Sequence, residues 1–453
     1  MNPFALSWVE LCVAVSLVGA VFVGRARHPD AAYRWCVGFS AAALACTVLA
    51  ALGFVLHVPA KWGLLPREAG TGFAVDEFSA PLLPLVALLH FLTALSTART
   101  KITQVSFAWM LAGAALRLAA FASTDPWAII GLLAAATLPP LFELRERKMP
   151  TRVYLLHTGA FVALLVAGWA LADAARGFAG VLLVLAVLVR GGVVPFHLWV
   201  ADLCENGTFG NALLFVTPLT GAYLAVRLVL PVAPEWALVG MNVAALVTVV
   251  YAAGMALVQT DARRFFAYLF LSQSALIMVG LDPHATVGLT GALVLWLAAG
   301  LSLGGLGLTL RALESRVGRL ALSEYRGLYD HSPTLAVGFL LCGLAVVGFP
   351  GTIGFVASEM LFTGLVEARP VVGVGALLAA ALNGIAIMRA YLLLFTGRRH
   401  TSTVSLAITP RERVAVLVLV ALILLGGLVP QGIVESRFQA AEAILRARGS
   451  FGS

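Results

Sequence analysis

The chain has 453 residues, of which 61% are hydrophobic and only 11% charged, with a mean hydropathy of +0.97. Soluble globular chains average about 45–50% apolar and 25% charged, so this composition excludes disorder, collagen, a coiled coil and a soluble enzyme. It leaves a polytopic membrane protein, because in hydrocarbon apolar surface faces outward as well as inward. The surplus of 30 Lys+Arg over 22 Asp+Glu, a net +8, is read as the positive-inside bias of a membrane chain and not as nucleic-acid binding.

The predicted fold class is an all-α polytopic membrane protein: one transmembrane domain over residues 1–453 with 14 spans. In chain order they lie near 5–24, 35–57, 78–96, 105–122, 127–143, 153–173, 179–200, 210–231, 236–258, 264–281, 286–310, 333–365, 371–396 and 414–431. Most exceed the roughly 17–20 residues that a helix needs to cross a bilayer. The first is read as a retained helix, with neither a charged flank before it nor a small-residue cleavage site after it. Number each loop by the span it follows. The odd loops hold Arg25, Arg27, Arg34, Arg99, Lys101, Arg145, Arg147, Lys148, Arg152, Arg263, Arg264, Arg311, Arg316, Arg319, Arg326, Arg398, Arg399, Arg411 and Arg413, which is 19 cations. The even loops hold Lys61, Arg67, Arg176 and Arg369, which is 4. That ratio predicts odd loops in the cytoplasm and both termini on the outer side of the inner (cytoplasmic) membrane. The tail, with Arg437, Arg446 and Arg448 in an amphipathic pattern, is expected at the membrane interface.

No soluble domain, nucleotide loop, dinucleotide fingerprint, haem or iron–sulfur spacing occurs, so no cofactor, metal or catalytic site is predicted. Cys12, Cys36, Cys46, Cys204 and Cys342 are scattered and read as small apolar packers.

Ionisable residues inside spans cost at least a few kcal/mol each and mark functional or cavity-facing positions. They are Glu10, His90, Arg117, His157, Arg190, His197, Arg227, Glu359 and Arg389. Glu10 and Arg389 lie near span ends and read as interface anchors. His90 and His157 suit packed neutral histidines and proton carriers equally. Arg117 and Arg227 read as structural ion-pair partners or pathway residues. Arg190 sits mid-span and is followed by Gly191, Gly192 and Pro195. This pattern breaks a helix and frees carbonyls, which is tolerated only against protein or water, and a fixed charge beside such a break is the make-up of an ion site. His197, seven residues on, is expected on nearly the same face. The twelfth span repeats the design, with Pro350 between Gly348 and Gly351 and Glu359 on the resumed half. Two breaks five spans apart predict two inverted five-helix repeats, about 105–231 and 236–396, with peripheral helices at 1–96 and 414–431.

Four stretches in register carry a family likeness. VDEFSAPL (75–82), with Asp76, resembles V-D-G-L-S-x-P-L; RGGVVPFHLWVAD (190–202), with Asp202, resembles K-x-x-x-x-P-x-H-x-W-L-P-D. QTDARRFFAYLFLSQS (259–274), with Asp261, Arg264 and Tyr268, resembles Q-x-D-x-K-R-x-x-A-Y-S-S-x-S-H, and GFPGTIGFVASE (348–359) resembles G-x-P-G-T-x-x-F-V-G-E. The chain thus resembles the proton-conducting antiporter-like subunits of respiratory complex I and of multisubunit sodium/proton antiporters, most of all the M-type subunit of NADH:quinone oxidoreductase. The resemblance implies 14 helices, other integral membrane subunits as partners, and protons or sodium moving along a hydrated axis. In that family a helix-five glutamate pairs with a helix-seven lysine, and further ionisable groups lead to a helix-twelve lysine or glutamate.

The sequence departs from that axis. Ala134 stands at the glutamate, Arg190 at the helix-seven lysine, Leu219 at the helix-eight lysine and Ala299 at the helix-eleven histidine. Strict register puts Ser358 at the helix-twelve acid, with Glu359 one residue later. An arginine hardly releases a proton at physiological pH, so the lysine switch cannot run as in the family. Water chains assisted by His90, His157, Tyr223, Ser302 or Thr217 are one way across the gap. Three functions stay open at this stage: an ion-translocating subunit using Arg190, His197 and Glu359; a non-conducting structural or coupling subunit of a complex I-like, hydrogenase-like or inorganic-carbon-uptake assembly; and a stand-alone transporter of a small anion with Arg190 as counter-ion.

Overall fold

The computed structural model describes residues 7–56, 72–217, 219–282, 285–398 and 406–452. Lys61, Arg67 and Arg399 of the charge pattern lie outside them. The described residues contain helices and two isolated bridges, Phe73 with Ser123 and Asp261 with Ala321, and no strand. The chain forms two compact units, residues 1–151 and 152–453.

The first unit holds α1 (Trp8–Gly24), α2 (Pro29–Val55), α3 (Leu82–Leu95), α4 (Phe107–Ala122), α5 (Pro126–Ala135) and α6 (Leu138–Glu146). Pro126 opens α5 and the Asp125 carboxylate accepts from the Ala128 amide, so the helix starts where proline needs no donor and an acid meets free N–H groups. Pro139 and Pro140 bring no amide to the helix ladder, and α5 and α6 are separate there. α4 is the hub, packing against α1, α3, α5 and α6.

The second unit begins with α7 (Arg152–Ala170), α8 (Arg176–Gly191), α9 (Leu198–Asn206), α10 (Phe209–Val216) and α11 (Thr220–Leu224), which runs into a π-helical turn over Ala225–Val229. It continues with α12 (Glu235–Val258), α13 (Ala262–Gly280), α14 (Thr286–Val317), α15 (Pro333–Val346), α16 (Ile353–Ala368), α17 (Pro370–Phe395), α18 (Pro410–Leu428) and α19 (Gln431–Gly452). α14 is the centre of this unit. It is apolar all round, its best apolar window is wholly buried, and it touches α13, α15, α16, α18 and α19. Peripheral helices instead expose large apolar side chains such as Leu156, Val371 and Leu428, as a lipid-facing surface requires.

Among the described residues, seven helices are long and apolar enough to cross a membrane, or eight if α18 and α19, bent by 79°, form one span. Four shorter apolar helices, α1, α3, α4 and α15, add to these. The spans predicted at 179–200 and 333–365 are each divided into two helices, as their Gly/Pro signals require. The tail predicted at the interface is α19, and it packs on α14 with Arg437 buried, while Arg448 donates to the Leu230 and Ala233 carbonyls. Ala440 and Ala441, both buried, give it a narrow face that lets it lie close.

Connecting segments pair by parity within each unit. At odd loops Tyr33 donates to the Leu95 carbonyl, Trp109 to Glu146, Arg263 to Glu314, and Arg316 to Glu412. At even loops Thr124 donates to the Gly72 carbonyl, and Arg369 pairs with Asp282 at 3.3 Å.

Candidate functional site

The first break lies between α8 and α9. Gly192 takes φ +69°, a left-handed conformation that glycine adopts without a Cβ penalty. The peptide groups freed there are met by side chains: the Val194 amide donates to Thr248 Oγ1 at 3.0 Å, and Ser274 Oγ donates to the Gly191 carbonyl at 3.5 Å. Backbone left unpaired in a membrane interior would cost several kcal/mol, so these two polar side chains are what make the break tenable.

Arg190, the last turn of α8, is buried. Its guanidinium lies over the Phe215 ring at 4.4 Å and the Trp199 ring at 5.3 Å, and Nη2 reaches the Phe215 carbonyl at 3.5 Å. Tyr154 packs against both rings and completes the cage. Ring faces and one carbonyl hold a cation that cannot shed its proton, which makes Arg190 a fixed charge.

His197 does not share this cage. Its Nε2 lies 3.4 Å from the Tyr251 hydroxyl, and its ring packs against Tyr251 and Tyr268. The break between Gly192 and Pro195 resets the helical phase, so the seven-residue spacing no longer brings the two side chains together. His157, half-buried on α7, bonds the Val153 carbonyl through Nδ1 and lies close enough to His197 and Asp202 to interact electrostatically. Asp202 accepts from Asn206 at 2.9 Å. These groups form a second cluster, with His157 and Asp202 partly exposed.

Behind the break, α13 carries buried Ser272, Gln273 and Ser274. Ser272 donates to the Val249 carbonyl and receives Asn383 Nδ2 at 2.8 Å, while Gln273 Oε1 and Asn383 Oδ1 have no hydrogen-bond partner among the described residues. Leu219 lies in a left-handed conformation at the start of α11 (φ 55°), and Arg227, in the π-helical turn, lies 5.6 Å over the Tyr223 ring.

The second break, between α15 and α16, uses Gly348 (φ +78°) and Gly351 (φ +87°), with Pro350 and Phe349 exposed between them. Here Ser358 is buried and donates to the Gly354 carbonyl at 2.7 Å, whereas Glu359 is on the exposed face of α16. Strict register therefore describes the inward side chain, and the carboxylate points away from it.

In the first unit His90 and Arg117 form a pair that sequence spacing gives no sign of: Arg117 Nη2 lies 2.7 Å from His90 Nε2, and His90 Nδ1 lies 2.7 Å from the Val86 carbonyl. The geometry suits the tautomer with its proton on Nδ1, a packed histidine with both nitrogens engaged. The motif residues have structural work. Asp76 receives the Ser79 amide. Asp261 caps α13 by accepting from the Arg263 and Arg264 amides, and Arg264 and Arg319 both approach Glu205 at 3.7 Å. Arg389, read as an interface anchor, donates to the Gln259 and Leu322 carbonyls. Sequence reasoning missed Tyr251, Phe215, Thr248 and Asn383. Only a polar residue inside an apolar span marked Thr248 and Asn383, and nothing marked the other two.

A membrane bundle with two broken helices, one cradling a buried cation, defines an antiporter-like membrane subunit. The family model described as "NADH:quinone oxidoreductase/Mrp antiporter, TM" matches residues 152–383, and the chain belongs to that family. It is 30% identical to NADH-quinone oxidoreductase subunit M of Pseudomonas aeruginosa over 260 residues, 55% of this chain and 50% of that one. It is 31% identical to NADH-quinone oxidoreductase subunit N of Rhodococcus opacus over 272 residues, 57% of this chain and 50% of that one. The chain thus spans about half the length of the curated relatives it matches. Its fold is similar to a chain of respiratory complex I from Thermus thermophilus with bound NADH (TM-score 0.85, 23% identity, 97% of this chain and 99% of that one). It is also similar to a chain of the Mrp complex from a Dietzia species (TM-score 0.82, 19% identity, 100% and 99%).

Proposed function

We propose that this chain is an ion-translocating subunit, carrying protons or sodium, of a complex I-like or antiporter-like multisubunit assembly in the inner membrane. It packs there against other integral membrane subunits. The fold neighbours come from assemblies of that kind, which supports the reading. The observation that carries it is the first break: a buried cation beside freed backbone, with orphaned amide oxygens on Gln273 and Asn383 behind it. Buried acceptors without partners are the places where internal water sits. Water, not a row of lysines, then bridges the apolar positions Leu219 and Ala299. Arg190 sets the potential along that water, His197 and His157 serve its odd-loop end, and Glu359 serves a surface that a neighbouring subunit covers. Fourteen crossings, two inverted five-helix repeats and outer termini complete the reading. Odd loops bond to odd loops and even loops to even loops within each unit, which favours it.

The test is ion flux in the assembled complex reconstituted in vesicles. Flux lost in Arg190→Ala and reduced in Glu359→Gln, with assembly intact, supports the reading; wild-type flux in Arg190→Ala contradicts it. A second reading, a non-conducting coupling subunit, is favoured by the aromatic cage, since among the described residues Arg190 is held there by rings and a carbonyl and not by an acid. It requires both variants to be silent.

A further inference from the structure

The odd-loop end of the first unit gathers a cluster of cations. Arg25 and Arg27 follow α1, Arg34 lies in the second turn of α2, and Arg99 and Lys101 lie in the 3₁₀ turn Arg99–Gln104 after α3. Packing brings them to one end of the bundle: α1 packs on α2 and α4, the 3₁₀ turn touches α2, and Tyr33 of α2 donates to the Leu95 carbonyl at 3.1 Å. The four arginines are exposed and Lys101 is half-buried. None of the five makes an ion pair or a side-chain hydrogen bond among the described residues. The acid that α2 brings to this end is Asp30, itself exposed. Glu143 and Glu146, on α6, are already engaged, by Arg147 at 3.9 Å and Trp109 at 2.8 Å.

A positive-inside bias explains cations on this side of the chain but not their lack of partners. In the second unit the odd-loop cations meet acids: Arg263 pairs with Glu314 at 2.7 Å, Arg316 with Glu412 at 2.6 Å, and Arg264 and Arg319 approach Glu205 at 3.7 Å. Beside the unpaired cations of the first unit lies an aromatic patch. Phe22 and Trp35 meet at 5.0 Å, and Phe39 lies 6.1 Å from Phe22 and 6.2 Å from Trp35. Phe22 is 49% exposed and Trp35 50%. These rings join two exposed apolar stripes, Leu17, Val18 and Val21 on α1 and Val48 and Leu52 on α2. Cations, then aromatic rings, then apolar stripe follow the order of the headgroup, glycerol and acyl zones of a phospholipid. An acidic protein segment would match the cations but not the stripe that continues along both helices.

We propose that the odd-loop end of the α1–α2 hairpin is a binding site for an anionic phospholipid. Its phosphate sits among Arg25, Arg27 and Arg34, and Arg99 and Lys101 add to the field that attracts it. Its glycerol region lies on Phe22, Trp35 and Phe39, and an acyl chain follows the stripe of α1. Guanidinium groups present paired donors that fit the oxygens of a phosphate, and here no acid has to be displaced first. The site holds whether or not the chain conducts ions, and it lies outside both helix breaks.

The test uses the full chain in phosphatidylcholine vesicles and reads the quenching of Trp35, taken as the difference between wild type and Trp35→Phe. Part of the lipid is replaced by brominated phosphatidylglycerol or, in parallel, by the same fraction of brominated phosphatidylcholine. One cation beside an anionic headgroup shifts occupancy about fivefold, so brominated phosphatidylglycerol should reach half-maximal quenching at a several-fold lower fraction. High salt should weaken that preference. Combining Arg25→Gln, Arg27→Gln and Arg34→Gln should abolish it, whereas Arg145→Gln, Arg152→Gln and Arg413→Gln together, exposed cations of other odd loops, should leave it in place. Equal quenching by the two lipids in the wild type, or a preference untouched by salt or by the first set of variants, overturns the proposal. So does quenching by neither lipid in the assembled complex, which would mark the patch as a protein contact.

Discussion

The two helix breaks of the second unit solve one problem in opposite ways. At the first, between α8 and α9, the charge is drawn inward: Arg190 is caged by Phe215, Trp199 and Tyr154, and Thr248 and Ser274 meet the freed backbone. At the second, between α15 and α16, the inward group is a serine closed on its own helix, and the carboxylate of Glu359 faces outward. The break signal is alike in both, glycine beside proline. What differs is the single residue of register that decides which face receives the charge. In a helix one residue is 100° of rotation, so Ser358 and Glu359 cannot both point inward.

The largest effect expected from disturbing this contrast is at the second break. A Cβ on Gly354 would stand 1.8 Å from the Ala345 carbonyl oxygen, a clash with backbone that no rotamer relieves. Gly354→Ala should cost about 3 kcal/mol or more, read as a large fall in the thermal midpoint of the detergent-solubilised protein. Next comes the first break. Thr248→Val leaves the Val194 amide unpaired, at a cost of about 1–3 kcal/mol, whereas Thr248→Ser keeps the acceptor and should stay near wild type. Smaller again is Gly351→Ala. No described residue lies within 4 Å of its added carbon, so only the positive φ is penalised, by about 1–2 kcal/mol.

The smallest effect concerns α18, which buttresses the second break through Gly427, packed on the Gly351 carbonyl. α18 is pinned at its odd-loop end by Glu412, which lies ahead of the apolar run and pairs with Arg316 at 2.6 Å. Burial pushes the Glu412 carboxyl up, but hydrogen bonds from Arg316 and Thr409 outweigh it and hold the group below its ordinary value of 4.5. A carboxylate held low in the folded state contributes stability above its ordinary value and loses it as pH falls through the folded one. Thermal stability should therefore drop on acidification below about pH 4.5, and Glu412→Gln should be less stable at neutral pH and flatter with acid.

Both breaks were legible in the sequence because glycine and proline act on the backbone locally. The apolar stretches were legible because a bilayer sets helix length and composition. Side-chain partners were not. His90 with Arg117, and Asp282 with Arg369, are joined by packing across 27 and 87 positions, and no period in the chain encodes such a meeting. The seven-residue spacing from Arg190 to His197 misled for a physical reason: helical phase does not survive the break that the same residues predict. The family likeness pointed to Ser358 and Glu359 in α16, but only the folded helix shows which of the two is turned inward.

The most direct test is ion flux through the assembled complex in vesicles, with Arg190→Ala, Arg190→Lys and Glu359→Gln measured side by side at matched assembly. A caged fixed charge that sets the potential of a water route predicts at least a tenfold loss in Arg190→Ala, flux retained in Arg190→Lys, and a smaller loss in Glu359→Gln. Wild-type flux in Arg190→Ala would contradict it.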